Sequence, residues 1–302
     1  MTRRAGLAAV AATLLLAACG ATVPHIPAVP LGNLGAPIAI APLLLDQGDP
    51  PTILAGRGAK GLAAPLLIAA STDLPRLTRQ GFTVVGAICR TSPETLLWHG
   101  GGLFSWQDFG KAPLYLAPGA DARTLEIAVA RYRGILDKLP QVTPAAGGVR
   151  AFRSDRAGFL LAPEPLASLL VAKGEAHLAQ PLADELGPYP TCLVYARTSV
   201  VRRDPLLVTG LLRRIDLGLW QLRTQSERRE LPHLRALAPT IPPSAILRSL
   251  AVARSEGIFR QSVLLGELDL RTLHDEIAPG AWPDSALDLG PARAALRRPF
   301  VP

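Results

Sequence analysis

The chain has 302 residues, of which 49% are hydrophobic and 19% charged, and its formal net charge is +8. This balance is typical of a globular protein and excludes intrinsic disorder, and the length suffices for one large domain or for two lobes with separate cores. The basic residues are spread along the chain without a dense run interleaved with aromatic residues, so no nucleic-acid partner is predicted.

The N-terminus predicts an export signal with lipid attachment. Arg3 and Arg4 precede an apolar run, residues 5–15, which is shorter than the roughly 20 residues that a membrane-spanning helix needs. The next four residues, Leu-Ala-Ala-Cys, resemble the lipobox of bacterial lipoproteins, which implies cleavage after residue 18 and a diacylglycerol thioether on Cys19. The alternative is an ordinary secretory signal with an unrelated cysteine. We expect an exported chain, lipid-anchored to the membrane and facing the periplasm or the cell exterior.

The next part of the chain predicts an alternation of strands and helices. Residues 19–30 contain three prolines and predict an extended spacer behind the lipid. Short β-rich runs follow at 52–55, 66–70, 82–89, 114–117, 158–162 and 191–196. Helices are predicted at 122–136 and 166–171. This alternation indicates an α/β chain with mainly parallel sheets.

The last third of the chain predicts helices. Asp204 and Pro205 suit the N-cap and first helical position of a helix whose apolar residues recur at helical spacing. Ser244 is predicted to cap a further helix after Pro242 and Pro243.

Residues 56–61, Gly-Arg-Gly-Ala-Lys-Gly, match the dinucleotide-binding fingerprint letter for letter. The mechanism of that fingerprint requires an uninterrupted helix and an acidic residue about 20 positions further on. Pro65 interrupts the helix, and no acidic residue lies between Asp73 and Glu94. We therefore predict a plain glycine-rich turn and no cofactor.

Motifs for catalysis or metal binding are absent from the sequence. None of the five histidines lies three to five residues from another histidine or a cysteine, so no metal site is predicted. The sequence also lacks a Gly-x-Ser-x-Gly elbow and an evident pair of catalytic carboxylates. We predict no catalytic residue and a chain that is not an enzyme.

Small and polar residues follow the predicted strands at four places. In open α/β sheets, ligands bind outside the carboxyl ends of the strands, where helix N-termini supply free amides. Each place taken alone is better explained as a capped turn, but the four together favour a binding cleft. The candidate ligand-binding residues are Gly32, Asn33, Leu34, Ser71, Thr72, Trp98, His99, Gly119, Ala120 and Asp121.

The middle of the chain resembles the substrate-binding proteins of ABC importers of the nitrate, sulfonate and taurine type. The resemblance rests on Gly-Phe-Leu-Leu-Ala-Pro-Glu-Pro at 158–165, Leu-Ala-Asp-Glu-Leu-Gly-Pro-Tyr-Pro at 182–190 and Tyr-Ala-Arg at 195–197. It implies a type II periplasmic-binding-protein fold, with two α/β lobes joined by two hinge strands and a helical C-terminal part. The implied lobes are 31–89 with 197–302, and 90–196, crossing near 87–90 and 192–196. Glu164 joins the candidate ligand-binding residues as the end of a Glu-Pro cap.

The resemblance also implies a function. The chain would be a monomer that captures a small polar or anionic ligand and delivers it to an ABC permease and its ATPase. Amides after Gly32 and Gly119 would hold the charged group, and Trp98 and His99 would contact the body of the ligand. Two alternatives stay open: an enzyme of the same fold, such as a menaquinone-pathway dehydratase or a pyrimidine synthase, and a sensor or scaffold lipoprotein without transport.

The two cysteines that remain after lipidation are Cys89 and Cys192. The implied hinge strands place them side by side, in a compartment where disulfides persist. Both a disulfide and two free thiols are compatible with this arrangement.

Overall fold

The computed structural model describes residues 29–31, 53–55, 66–100, 102–130, 142–144, 146–237, 240–277, 279 and 282–297. The leader, Cys19, the candidates Gly32, Asn33 and Leu34, and the glycine-rich segment 56–61 lie outside these ranges. The predicted spacer overlaps the described part at its end, because Val29 and Pro30 belong to the first strand.

Ten strands in the described ranges form two five-stranded sheets. They are β1 (Val29–Leu31), β2 (Ile53–Ala55), β3 (Leu66–Ala70), β4 (Phe82–Ala87), β5 (Glu94–Trp98), β6 (Leu114–Leu116), β7 (Val142–Thr143), β8 (Phe159–Pro163), β9 (His177–Pro181) and β10 (Cys192–Arg197). Every residue of β4 and β8 is buried. Such continuous burial is typical of strands covered on both faces by helices.

Helices follow most of the strands, and the C-terminal part is helical as predicted. They are α1 (Leu74–Arg79), α2 (Trp106–Phe109), α3 (Ala122–Ala130), α4 (Gly148–Ser154), α5 (Leu166–Ala172), α6 (Leu182–Leu186), α7 (Thr198–Arg203), α8 (Pro205–Thr224), α9 (Glu227–Leu237), α10 (Pro243–Ser255), α11 (Glu267–Thr272) and α12 (Gly290–Leu296). Among the described helices, none has the length and apolar character needed to cross a membrane.

The two sheets have the same topology. The first has the order β2-β1-β3-β10-β4 and the second β7-β6-β8-β5-β9. β10 is antiparallel to both of its neighbours, and so is β5, whereas the pairs β1 with β2 and β3, and β6 with β7 and β8, are parallel. Each sheet thus contains one reversed strand, which is the first strand after the chain crosses from the other sheet. The α/β fold class with two lobes is confirmed.

The chain crosses between the sheets twice. The first crossing lies between Ala87 and Glu94, close to the predicted position. The return crossing lies between Leu186 and Cys192, whereas 192–196 belongs to β10 and pairs with β3 and β4 of the first sheet. The predicted second lobe, 90–196, therefore includes a strand of the first sheet. Apolar strand residues look alike in sequence whether they cross a hinge or enter a sheet.

Hydrogen bonds tie the two crossing segments to each other. The Thr191 hydroxyl donates to the Thr91 carbonyl at 2.9 Å, and the Tyr189 amide donates to the Arg90 carbonyl at 2.6 Å. The C-terminal helices pack on the first sheet in a buried cluster that includes Leu212 and Leu250. The hinge is thus a paired segment set against a helical core.

Two predicted helix starts have different outcomes. Asp204 caps α8 as expected, because its carboxylate accepts a hydrogen bond from the Leu207 amide at 3.1 Å and Pro205 is the first helical residue. Ser244 does not cap α10, since that helix begins at Pro243 and its N-cap is Pro242. A proline suits the first helical position, where no amide hydrogen needs a partner, and Ser244 is left exposed inside the first turn.

We expect Asp204→Ala to lower the free energy of unfolding by about 1 kcal/mol, the usual contribution of an N-cap side chain. Asp204→Asn should keep most of this free energy, because the asparagine side-chain oxygen can also accept a hydrogen bond from the Leu207 backbone amide. Ser244→Ala is the matched control and should change stability by less than about 0.5 kcal/mol. Urea denaturation measures all three, and an equal loss in the two alanine variants would contradict the assignment of the caps.

Candidate functional site

Residues from both lobes meet where the parallel strands end. Ser71 and Thr72 follow β3 of the first sheet, and Asp121 lies in the loop after β6 of the second. The Thr72 hydroxyl donates to the Asp121 carboxylate at 2.5 Å. Two of the four places predicted from the sequence are therefore brought together, in a contact between the lobes that we call the cleft.

The loop that carries Asp121 is a tight turn before α3. Gly119 has a φ of 86°, a left-handed conformation that favours glycine, and the Ala120 amide donates to the Ala117 carbonyl at 3.0 Å. Asp121 then caps the helix, since its carboxylate accepts from the Arg123 amide at 2.9 Å. Gly119 and Ala120 thus shape the turn that carries the Asp121 carboxylate to Thr72.

Glu94 lies in the cleft and is not among the candidate residues predicted from the sequence. It is the first residue of β5, and because β5 runs against β8, this start lies at the edge where β6 and β8 end. Its side chain is buried, accepts the Asp121 amide at 2.5 Å and accepts the Ser92 hydroxyl at 3.1 Å. A single glutamate at the start of an unrecognised strand carries no signal in the sequence.

Burial gives Glu94 unusual acid–base properties. Loss of solvation, together with the negative charge of Asp121, raises the pKa of Glu94 to about 8. At neutral pH the side chain is mostly a neutral acid, which can donate a hydrogen bond as well as accept one. The Asp121 amide, one of those expected to hold an anion after Gly119, is occupied by Glu94.

Tyr189 supplies an unused hydroxyl near the same groups. The side chain is buried in the return crossing, and its hydroxyl has no hydrogen-bond partner among the residues that the structure describes. Burial, followed by the charge of Asp121, raises the pKa of Tyr189 well above its ordinary value. An unpartnered buried hydroxyl is costly, so it is a natural hydrogen-bonding group for a ligand.

Trp98 and His99 lie elsewhere. They follow β5 at its carboxyl end, and because this strand is reversed, that end is at the opposite edge of the sheet from Glu94. Trp98 stacks on Phe159 with ring centroids 6.0 Å apart. His99 stacks on Phe152 at 4.1 Å and forms a 2.8 Å hydrogen bond with the Phe152 carbonyl. The structure does not bring these two residues to Thr72 and Asp121.

Glu164 lies at the cleft edge, but its side chain takes another direction. It directly follows β8, whose last residue Pro163 pairs with Glu94, so consecutive side chains point to opposite faces. The Glu164 carboxylate accepts from the Ser168 hydroxyl at 3.0 Å, in the first turn of α5. Burial raises the pKa of Glu164. In this conformation the carboxylate serves α5 and does not contact Asp121.

Ser71 anchors the cleft to the hinge. Its side chain is buried, and its amide donates to the Thr191 carbonyl at 2.9 Å in the return crossing. The carbonyl of Ala70, the residue before Ser71, accepts a hydrogen bond from the Tyr195 hydroxyl at 3.0 Å. These bonds hold the end of β3 in place and so position the neighbouring Thr72.

Cys89 and Cys192 lie side by side as the hinge arrangement implies. Both are buried free thiols. Burial and a hydrogen bond with Cys89 raise the pKa of Cys192 well above its ordinary value. The neutral thiol of Cys192 is therefore favoured, which makes this residue a poor nucleophile at neutral pH.

Comparison with known proteins identifies the fold. No protein-family model and no curated protein matches the sequence. Among solved structures, the ligand-binding component of an ABC-type import system from Staphylococcus aureus superposes with a TM-score of 0.66 at 10% identity, covering 90% of this chain and 100% of that one. The alkanesulfonate-binding protein SsuA from Xanthomonas axonopodis pv. citri, bound to MOPS, gives a TM-score of 0.57 at 15% identity, covering 75% and 83%.

A third neighbour is the periplasmic nitrate-binding protein NrtA from Synechocystis PCC 6803, with a TM-score of 0.54 at 14% identity, covering 80% of this chain and 73% of that one. At these identities the likeness establishes the fold and nothing finer. The chain has the fold of the solute-binding proteins of ABC-type import systems.

The raised pKa of Glu94 predicts a pH dependence of stability. In the unfolded chain a glutamate loses its proton near pH 4.5, whereas folded Glu94 keeps it up to about pH 8. The folded state thus binds more protons between these values, and stability falls as the pH rises through this window, by at most about 1.4 kcal/mol per pH unit. Glu94→Gln, which imitates the neutral acid, should remove this contribution.

Denaturation between pH 5 and 8.5 measures the effect. The interval from pH 7 to 8 is the most informative, because the pKa values of Glu230 and Glu256 are raised only to about 7. The surface variant Glu126→Gln is the control and should keep the slope of the unchanged protein. Identical slopes in the unchanged protein and Glu94→Gln would show that Glu94 is ionised in the folded state.

Cys89 and Cys192 give a further prediction. In a chain lacking residues 1–18 and carrying Cys19→Ser, titration in denaturant without reductant should count two thiols per chain. The folded chain should react much more slowly, because Cys89 and Cys192 are buried. A count of zero in denaturant would mean that the two cysteines are bridged.

Proposed function

We propose that the chain is the substrate-binding lipoprotein of an ABC importer. It captures a small polar or anionic ligand between its two lobes and delivers it to a permease and its ATPase. The observation that carries this proposal is the contact of Thr72 with Asp121, backed by Glu94, where the strand ends of both lobes meet. The structural neighbours named as import and binding components support it.

The cleft offers groups that a ligand can exchange for their present partners. The bond between Thr72 and Asp121 joins the lobes directly, so a ligand entering the cleft would compete for both groups. Neutral Glu94 and the Tyr189 hydroxyl can each donate to a ligand oxygen, and the Asp121 carboxylate can accept from a hydroxyl or amine. This mixture favours a ligand that carries both acceptors and donors. The segment with Gly32, Asn33 and Leu34 is proposed to add amides.

Lipid attachment at Cys19 completes the proposal. An exported binding protein held at the membrane surface stays within reach of its permease, and a chain with several acyl groups anchors stably. The leader also argues against the enzyme alternatives, which work in the cytosol. A monomer is part of the proposal, and it is supported by a cleft whose described groups all come from one chain.

One observation favours a second candidate function. A carboxyl group with a raised pKa beside a second carboxyl group is an arrangement that enzymes use for acid–base catalysis, and Glu94 lies beside Asp121 in this way. An enzyme would convert the ligand that it binds, whereas a receptor releases it unchanged. Recovery of an identified ligand after incubation with the protein therefore separates the two functions.

Ligand identification and affinity test the proposal together. Native mass spectrometry of the freshly purified chain should reveal a small co-purifying molecule. Calorimetry then measures the affinity for that molecule, or for nitrate, taurine and methanesulfonate if none co-purifies. Asp121→Asn and Thr72→Val should each weaken the affinity about tenfold or more, since each substitution removes a hydrogen-bonding group of the cleft.

The matched control is Asp108→Asn, which removes an exposed carboxylate on α2. It should leave the affinity unchanged. Unchanged affinity in both cleft variants would place the ligand elsewhere, and a ligand that is chemically converted would favour the enzyme.

A further inference from the structure

A second cavity lies outside the cleft, where the crossing segments meet the C-terminal helices. Its volume is about 740 Å³, within the usual range of small-molecule sites. The crossings contribute Arg90 and Pro188, and the rest of the wall comes from the ends of α8 and α10 and from residues 257–269. None of the described cleft residues Thr72, Glu94, Asp121 and Tyr189 lines it.

Arginine dominates the charge of this cavity. Four arginines and one acid, Asp269, line its wall. Arg260 donates to both Asp269 carboxylate oxygens, at 2.8 and 2.6 Å. Arg254 donates to both oxygens of Glu230, at 2.9 and 3.0 Å. These two guanidinium groups are paired with carboxylates and serve the fold, although the Nε of Arg254 has no hydrogen-bond partner among the described residues.

The other two arginines, Arg90 and Arg223, donate to no carboxylate among the described residues, and the charge of Asp216 acts on Arg223 without a hydrogen bond. Neither guanidinium donates a hydrogen bond to any residue in the described ranges, and both side chains belong to exposed residues. The last turn of α8 favours a cation, which accounts for Arg223 on helix grounds alone. Arg90 has no such reason, because it lies in the first crossing before β5. Two cations with unused donors thus face one cavity.

Apolar side chains complete the wall. Phe259, Leu264 and Leu268 line the cavity, and Leu268 is 59% exposed. We propose that this cavity is a second binding site, which takes a small organic anion. A sulfonate, carboxylate or phosphate group would be bound by Arg90 and Arg223, and its apolar body would lie against the leucines and Phe259. Arginine is suited to this task because its planar fork donates two hydrogen bonds to one anionic group.

Naphthalene-1,5-disulfonate is a suitable probe, since it carries two anionic groups on one apolar body. We expect saturable binding to the chain without its leader and with Cys19→Ser, measured by calorimetry. The double variant Arg90→Gln, Arg223→Gln should weaken this binding by roughly tenfold or more, because each guanidinium supplies charged hydrogen bonds. Both residues are exposed, so the variant should keep the melting temperature of the unchanged protein; if it does not, Arg223→Gln alone is used.

The matched control is Arg202→Gln, Arg235→Gln, which removes the same charge from exposed positions on α7 and α9. It should bind the probe as the unchanged protein does. Equal weakening in both double variants would mean nonspecific attraction to a basic protein and would overturn the proposal, as would absence of saturable binding. Loss of binding in Asp121→Asn, with Arg90→Gln, Arg223→Gln unaffected, would place the probe in the cleft.

Discussion

The reversed strand in each sheet is the constraint on which the rest of the structure depends. β10 returns from the second lobe and pairs on both sides within the first sheet, and β5 does the same in the opposite direction. Both crossings therefore lead into a strand that is paired on both sides within a sheet. This geometry sends the end of β3, the end of β6 and the start of β5 to one place, so that Thr72, Asp121 and Glu94 form a single site.

The same constraint explains which site residues could be predicted from the sequence. Thr72 and Asp121 follow strands that run parallel to their neighbours, so the rule that ligands bind at carboxyl strand ends applies to them. Trp98 and His99 also lie at the end of a strand. Because that strand is reversed, its end lies at the edge of the sheet away from Thr72 and Asp121. Nothing local in the sequence states the direction of a strand, because direction is decided by pairing with distant residues.

Other features of the structure could not be predicted from the sequence, for related physical reasons. Glu94 gains its importance from burial and from Asp121, which lies 27 positions away, so its own neighbours do not mark it. The resemblance implies that residues 192–196 are the return crossing, whereas in the structure they belong to β10, an internal strand of the first sheet. Local signals were more reliable: Asp204 followed by Pro205 fixed the start of α8 through backbone chemistry alone. Ser244 shows the limit of such local signals, because the helix begins at Pro243, before the serine that was expected to cap it.

The distribution of charge bears on what the protein binds. The chain carries a net charge of +8, which taken alone suggests anionic partners. In the described part of the cleft, however, the close groups are Asp121 and a glutamate that escapes ionisation by burial. An anion there must rely on neutral donors such as the Glu94 acid and the Tyr189 hydroxyl. If Glu94 were ionised, its negative charge would repel the anion. Arg90 and Arg223, which donate a hydrogen bond to none of the described residues, lie instead at the cavity where the crossing segments meet the C-terminal helices. In the proposed function, hydrogen-bond geometry and the proton on Glu94, rather than the net charge, would select the ligand of the cleft.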